Sequence, residues 1–265
     1  WNMATPLKVG LLGAGVISKA HLPAYLEHPD RVKLTAVCDL DESRAQEFAK
    51  QAGVEAVYTD YDKMLREGDI DAVDNCTFHP AHAPTSITAA EAGKHVIVEK
   101  PMALNVQECR DMIAAADKAG ITLMVAQDLR YSPEAAAVKR FIDDGKLGDI
   151  LAARTQLIGR GGSSAVGFER YADAKLGGGV MQAVQVHHID LLRYYVGNVK
   201  RLTGTCKSVG QRSINGAEDL VVANFEFESG ALGDLFASPG DRPDEMSGSS
   251  QIKVSDRSYV LYGSA

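Results

Sequence analysis

The hydrophobic pattern of the first half of the chain alternates between short apolar runs and longer segments of helical periodicity. Apolar runs typical of buried parallel strands occupy residues 7–12, 34–38, 72–76, 95–98 and 121–126. Helical patterns occupy residues 18–27, 42–52, 60–66, 83–92 and 105–119, with Asp41 and Asn105 as N-caps. This alternation predicts an α/β domain over residues 1–126, built on a doubly wound parallel sheet.

The pattern changes near residue 127. It predicts helices at 133–144 and 180–195, a long strand at 149–158 and a glycine-rich loop at 159–167. Shorter strands are predicted at 199–209, 220–228, 231–238, 251–255 and 259–262, the last four as antiparallel hairpins with Ser229-Gly230 as one turn. Residues 127–265 are therefore expected to form an α+β domain with helices on one face of its sheet.

The two ends of the sequence allow predictions about the natural start of the chain and the extent of the second domain. Trp1 and Asn2 precede Met3, so we expect the natural chain to begin at Met3. The pattern stops inside the last predicted strand, so we expect the second domain to be incomplete at its C-terminal end.

Composition narrows the class of protein. The 265 residues carry a formal net charge of −7, which argues against nucleic acid as a partner because phosphate binding requires a basic face. No apolar run approaches the ~18 residues that span a membrane, and no secretory signal is visible. The four cysteines lack metal-ligand spacing and are interpreted as core thiols of a cytoplasmic protein, with no disulfide and no metal.

The first strand leads into a glycine turn that is typical of a dinucleotide site. Gly13 would make the tight turn, Gly15 would let the backbone approach a pyrophosphate, and Ser18 is small enough for close packing. The N–H groups of Val16 and Ile17 at the helix start would face the phosphates. Asp39 ends the next strand, roughly 20 residues further on, where its carboxylate could accept both ribose hydroxyls. The alternative is a plain βαβ unit with a solvated acid.

Polar residues follow the carboxyl ends of the later strands, where ligands bind in such sheets. They are Thr77, His79, His82, Glu99 and Lys100. Lys100 could hydrogen-bond a substrate hydroxyl or exchange a proton with it, although an ordinary surface lysine is the alternative. We expect His82 to contact cofactor or substrate, assign no role to His79, and predict no metal there because no third ligand lies nearby in sequence.

The predicted helix at 180–195 carries a second polar face. Ala183, His187, Asp190 and Tyr194 share that face at helical spacing. Asp190 could orient the imidazole of His187 by a hydrogen bond, which would fix its tautomer for proton transfer. The alternative is that His187 is a core histidine whose hydrogen bonds are made within the protein and which has no catalytic role.

Together these segments resemble the Gfo/Idh/MocA oxidoreductase family. The resemblance rests on the turn at Gly13, on residues 89–101 with their Glu-Lys-Pro ending, and on Gly177-Gly-Gly followed by His187 and Asp190. Arg130 within residues 128–133, the segment 145–150 and the pair Glu218-Asp219 also fit. The match extends from about residue 7 to residue 264.

The resemblance implies an N-terminal Rossmann domain that binds NAD or NADP and a C-terminal domain with a large, open, mostly antiparallel sheet. It implies assembly into a homodimer or homotetramer through that sheet. It assigns catalysis to Lys100 and His187. From the residues and the resemblance together, the expected cofactor contacts are Gly13, Gly15, Val16, Ile17, Asp39, Thr77, His82, Glu99 and Lys100. From the residues and the resemblance together, the expected substrate contacts are Lys100, Arg130, Arg170, His187 and Asp190.

One position departs from the family pattern. An acid usually stands four residues before the histidine, and this chain has Ala183 there. On an α-helix, neither Gln182 nor Gln185 would lie on the His187 face, so neither is expected to replace that acid.

The leading hypothesis is a dehydrogenase that moves a hydride between a nicotinamide cofactor and a secondary alcohol of a sugar, inositol or related polyol. Asp39 would repel a 2′-phosphate and no arginine follows it, so NAD is favoured over NADP. Two alternatives stay open. One is a glycoside hydrolase or lyase that retains NAD and uses transient oxidation. The other is a non-catalytic sensor of a dinucleotide or sugar, supported by Ala183.

Overall fold

The computed structural model describes residues 5–158, 172–209, 215–238 and 256–265. The chain divides into two compact units, Trp1–Ala126 and Gln127–Ala265. Every helix within the described residues is too short or too polar to cross a bilayer.

The first unit is built on a six-stranded parallel sheet with the order β3-β2-β1-β4-β5-β6. Its strands are β1 (Leu7–Leu12), β2 (Val32–Cys38), β3 (Ala56–Tyr58), β4 (Ala72–Asn75), β5 (His95–Val98) and β6 (Leu123–Val125). Its helices are α1 (Ser18–Glu27), α2 (Glu42–Ala52), α3 (Tyr61–Glu67), α4 (His79–Glu91) and α5 (Val106–Ala119). The strand order reverses between β1 and β4, which is where such sheets bind ligands.

Local chemistry explains where these helices begin. The side chains of Asp41, Asp60 and Asn105 accept hydrogen bonds from backbone N–H groups in the first turns of α2, α3 and α5. Helix α4 begins at His79, whereas the sequence pattern predicted its start at residue 83. Pro80 lies in the first turn, where its missing N–H has no helical partner to lose. His79 and His82 therefore lie on a helix and not in a loop.

The second unit contains a five-stranded sheet with the order β11-β7-β10-β9-β8. The strands are β7 (Ile150–Ile158), β8 (Val199–Lys207), β9 (Leu220–Phe227), β10 (Leu232–Ser238) and β11 (Asp256–Gly263). The helices are α6 (Pro133–Asp143) and α7 (Val186–Val196), with a 3₁₀ turn at Asp128–Tyr131, another at Ala174–Leu176 and a π turn at Met181–Gln185. Leu192 of α7 packs with Val221, Phe225 and Leu235 in the core of this unit.

The strand pairing corrects one expectation. Strands β9 and β10 form the hairpin predicted at Ser229-Gly230, but β10 then pairs in parallel with β7. Strand β11 pairs antiparallel with β7, which separates it from β10 in the described part of the sheet. The predicted strand at 251–255 and the predicted loop at 159–167 lie outside the described residues. The sheet is mostly antiparallel, as predicted.

Candidate active site

The glycine turn after β1 has the geometry that a dinucleotide site requires. Gly13 has a φ of +94°, and a Cβ there would lie 2.8 Å from the Cys76 carbonyl oxygen. At Gly15, by contrast, a Cβ would meet no atom within 4 Å. The buried hydroxyl of Ser18 donates to the Gly15 carbonyl oxygen at 2.8 Å. The turn is thus packed against the sheet at Gly13 and open at Gly15, and helix α1 begins without a side-chain cap on its first N–H groups.

Asp39 lies beside this turn at the end of β2. Its Oδ2 accepts the backbone N–H of Ala14 at 2.7 Å, and its Oδ1 accepts the N–H of Asp41 at 2.8 Å. Each carboxylate oxygen retains acceptor capacity, because a carboxylate offers about four lone pairs. The position therefore fits an acid that receives ribose hydroxyls, the role predicted from its place in the sequence.

His82 is fully buried on α4. Its Nδ1 lies 2.7 Å from the Pro101 carbonyl oxygen, and its Nε2 lies 3.1 Å from the Thr77 carbonyl oxygen. Burial lowers the pKa of His82, against the opposing effect of these two carbonyl groups. The ring therefore connects the chain after β5 to the chain after β4, and a direct cofactor contact from His82 stays a prediction.

Lys100 follows β5 and precedes a cis peptide bond to Pro101. The buried carboxylate of Glu99 holds its backbone, because Glu99 Oε2 accepts the Lys100 N–H at 3.0 Å. The other oxygen of Glu99 faces Nε2 of His21 at 3.0 Å. The sequence interpretation missed His21. The signal that could have found it is Asp74, an acid inside a buried apolar strand, because a buried carboxylate requires a partner.

His187 lies at the start of α7 and is oriented by residues that precede α6. Its Nδ1 lies 3.0 Å from Gln127 Oε1 and 3.7 Å from Asp128 Oδ1. The prediction that Asp190 orients this ring is therefore wrong. Because the amide oxygen can only accept, the contact places the proton of a neutral imidazole on Nδ1 and leaves Nε2 as the basic nitrogen.

Asp190 pairs instead with Arg130 of the 3₁₀ turn. The guanidinium donates from Nε and Nη2 to the two carboxylate oxygens, at 2.5 and 2.6 Å, and lies 5.1 Å from the centre of the Tyr194 ring. The hydrogen bond to Asp190 raises the pKa of Arg130 further. Two predicted substrate contacts thus bind each other. The third arginine candidate, Arg170, lies outside the described residues.

The π turn at Met181–Gln185 changes the predicted face of the helix. A π turn closes hydrogen bonds from i to i+5, so it inserts one residue into the helical register. Ala183 and His187 are therefore not stacked as an α-helix would stack them, and the argument that set Gln182 apart from His187 no longer holds. Ala183 itself is buried.

The fold and the glycine turn define a two-domain protein of the dinucleotide-binding type. The model of the oxidoreductase family with an NAD-binding Rossmann fold matches residues 7–127, and the GFO/IDH/MocA C-terminal domain matches residues 135–265. The chain belongs to the Gfo/Idh/MocA oxidoreductase family.

Several relatives carry names of dehydrogenases. The chain is 31% identical to D-apiose dehydrogenase of Paraburkholderia graminis over 84% of this chain and 58% of that protein. It is 30% identical to D-glucoside 3-dehydrogenase of Escherichia coli over 86% of this chain and 69% of that protein. A levoglucosan dehydrogenase structure in complex with NADH and levoglucosan matches with a TM-score of 0.85 at 27% identity, covering 98% of this chain and 72% of that one. The chain thus spans little more than half the length of the apiose enzyme.

Proposed function

We propose that this protein is an NAD-dependent dehydrogenase that oxidises a secondary alcohol of a sugar, an inositol or a related polyol. The observation that carries the proposal is the glycine turn, packed at Gly13, open at Gly15 and flanked by the carboxylate of Asp39. Membership of an oxidoreductase family and the names of the relatives support the same chemistry. Oxidation removes a hydride from the carbinol carbon and a proton from its oxygen, which leaves a carbonyl group.

The nicotinamide ring, when bound, supplies the hydride acceptor. We assign the proton to His187, whose contact with Gln127 leaves Nε2 as its basic nitrogen. We assign to Lys100 a hydrogen bond to the same substrate oxygen, where its positive charge stabilises the charge that develops as the proton departs. Mutation of each residue tests its assigned role.

The remaining site residues receive supporting roles in this proposal. The backbones of Gly13, Gly15, Val16 and Ile17 hold the pyrophosphate, Asp39 binds the ribose, and Thr77, His82 and Glu99 surround the nicotinamide end. Because Arg130 and Asp190 are bound to each other, we expect them to contact substrate as one unit, together with Arg170. The carboxylate of Asp39 disfavours a 2′-phosphate, which makes NAD the preferred cofactor.

The test is the appearance of reduced nicotinamide when the protein is mixed with NAD and a panel of substrates. The panel contains inositols, aldoses, sugar acids, D-apiose, levoglucosan and D-glucosides, and NADP is run in parallel. Signal with one compound and NAD supports the proposal. Lys100→Ala and His187→Ala should each reduce kcat by about 100-fold or more with NAD affinity retained. Lys118→Ala, which removes an exposed lysine at the end of α5, should have no effect.

Two other outcomes would redirect the assignment. Turnover of a glycoside without net release of NADH would indicate transient oxidation with a retained cofactor. Tight binding of NAD or a sugar with no turnover of any compound would indicate a sensor. In both cases the next question would be whether Ala183, which stands where the family usually has an acid, accounts for the change in activity.

We also propose that the sheet of the second unit mediates a homodimer or homotetramer. Side chains on the face opposite α7 include the exposed Leu232 and Tyr262, the half-exposed Phe236, and the Arg154–Asp234 ion pair. Apolar side chains among paired charges suit an interface between copies of one chain. Leu232→Glu should shift the mass measured by light scattering to that of a monomer, and an unchanged mass would contradict this proposal.

The cellular location is proposed as the cytoplasm. Its support is that Cys38, Cys76, Cys109 and Cys206 are all free thiols. Cys206 is exposed, so the prediction that all four are core thiols is wrong at that position.

A further inference from the structure

A buried ionic network lies beneath the glycine turn. His21 of α1 stands between two carboxylates, with Nδ1 2.9 Å from Asp74 Oδ2 and Nε2 3.0 Å from Glu99 Oε1. Asp74 and Glu99 are buried, and the side chain of His21 is 18% exposed. Tyr25, one helical turn after His21, donates its hydroxyl to the same Asp74 oxygen at 2.6 Å. The network joins α1, β4 and the end of β5.

The two carboxylate contacts favour an imidazolium at His21. A neutral imidazole has one N–H, whereas two carboxylate oxygens lie at hydrogen-bond distance from its two nitrogens. Burial alone would lower the pKa of His21, but hydrogen bonds to Asp74, Cys76 and Glu99 outweigh burial and raise it well above its ordinary value. The positive ring thereby balances part of the buried negative charge.

Glu99 connects this charge to Lys100. One carboxylate oxygen faces His21, and the other accepts the backbone N–H of Lys100 at 3.0 Å. A carboxylate held at both oxygens has one orientation, so the position of the Lys100 backbone depends on the position of His21.

We propose that His21 is a positioning residue, which holds Glu99 and through it places Lys100 for catalysis. The inference rests on the proposed function of Lys100, but the link from His21 to the Lys100 backbone can be measured without turnover. Loss of His21 would leave two buried carboxylates without their cation, and Glu99 would lose the contact that fixes its orientation.

An alternative interpretation is that some of these side chains bind a metal ion. His21, Asp74 and Cys76 bring ligand atoms within 4.8 Å of one another. The direct contacts favour the hydrogen-bonded network, because Nδ1 of His21 already faces Asp74 at 2.9 Å and Cys76 Sγ at 3.5 Å.

The experiment compares His21→Gln with His28→Gln. His28 is an exposed histidine just beyond α1, so the control makes the same chemical change outside the network. Lysines are reductively methylated with ¹³C-formaldehyde, and the Lys100 signal is assigned by its absence in Lys100→Arg. The titration of that signal with pH reports the surroundings of the lysine amine, whether or not a substrate is known.

In His21→Gln we expect the titration midpoint of the Lys100 signal to move, or the signal to split, while the other lysine signals stay in place. With an active substrate, kcat should fall by about 10- to 100-fold and KM for that substrate should change by less than about threefold. An unchanged Lys100 signal in a folded His21→Gln protein would overturn the proposal, whatever the effect on stability. Stoichiometric zinc in the purified wild type that is lost in Cys76→Ser would also overturn it.

Two further variants test the proposal if His21→Gln does not fold, and the Lys100 signal tests it if no substrate is found. If His21→Gln does not fold, Tyr25→Phe and Glu99→Gln replace it. Glu99→Gln should move the Lys100 signal, whereas Tyr25→Phe should leave it in place because His21 and Glu99 remain; the reverse result would overturn the proposal. If no substrate is found but the signal moves in His21→Gln, the proposed dehydrogenase function fails and the positioning of Lys100 by His21 stands.

Discussion

Arg130 and Asp190 form a two-point ion pair that fastens the 3₁₀ turn Asp128–Tyr131 to helix α7. The same turn begins just after Gln127, whose amide oxygen faces His187. Asp190 lies three positions after His187 on α7, so the ion pair and the histidine contact are about one helical turn apart. The ion pair therefore fixes the segment that orients His187.

A double-mutant cycle should measure this pair. We expect Arg130→Ala, Asp190→Ala and the double variant to show a coupling free energy of about 1 kcal/mol in urea unfolding, since the Arg130 side chain is 34% exposed and water weakens the attraction. Lys146 and Asp144, an exposed pair, provide the control and should show almost no coupling. Additive effects at Arg130 and Asp190 would show that the pair does not fasten the turn.

The two glycines of the turn should separate folding from cofactor binding. Gly13→Ala should lower the free energy of unfolding by about 1–3 kcal/mol, because its positive φ and the nearby Cys76 carbonyl oppose a side chain. Gly15→Ala should leave that free energy within about 0.5 kcal/mol of wild type, because the new methyl group meets nothing.

Calorimetric titration with NAD completes the comparison. Gly15→Ala should weaken NAD binding by about tenfold or more, since the methyl group would occupy the approach of the pyrophosphate. A stable Gly15→Ala variant with wild-type affinity for NAD would contradict the assignment of this turn.

Gln185 should be a site of stabilising substitution. Its side-chain amide is fully buried, and among the described residues neither its nitrogen nor its oxygen has a hydrogen-bond partner. An unsatisfied buried amide costs about 1–3 kcal/mol, so Gln185→Met, which is similar in shape and apolar, should raise the free energy of unfolding by about 1 kcal/mol. Urea unfolding provides the measurement. A decrease would indicate that the amide stabilises the π turn in a way that methionine does not.

The stability of the protein should depend on pH through His21. Its pKa is raised in the folded state, so the folded protein keeps a proton that the unfolded chain releases above about pH 6.5. The stabilisation is therefore complete below about pH 6.5 and decreases as pH rises, by up to about 1.4 kcal/mol per pH unit. His21→Gln should remove this slope between pH 6.5 and 9. Parallel stability curves for the two proteins would show that His21 does not carry the proton.

The sequence predicted the fold class and most elements because the signals for them are local. The helix Glu42–Ala52 lies where its pattern and the Asp41 cap predicted it, and Asn105 caps α5 as expected. The start of α4 was predicted four residues late, because a proline in a first turn favours a helix although elsewhere it breaks one.

The contacts that were missed are those between residues far apart in the chain. Spacing on one helix suggested that Asp190 orients His187, but Gln127, 60 residues earlier, is the residue in contact. His21 contacts Glu99, which lies 78 residues further along the chain. The periodicity of a sequence does not predict a contact between residues so far apart. The π turn was not predicted, because an analysis that assumes α-helical spacing does not detect one inserted residue.

The parallel pairing of β7 with β10 delays the folding of the second unit during its synthesis on the ribosome. Arg154 of β7 and Asp234 of β10 are 80 residues apart in the chain, and β11, the other neighbour of β7, comes later still. At translation rates of about 5–20 residues per second, β7 waits roughly 4–16 s for its first partner. During that interval both edges of the strand present unpaired N–H and C=O groups. The nascent second unit is therefore expected to need chaperone protection that the first unit, with its local βα units, does not.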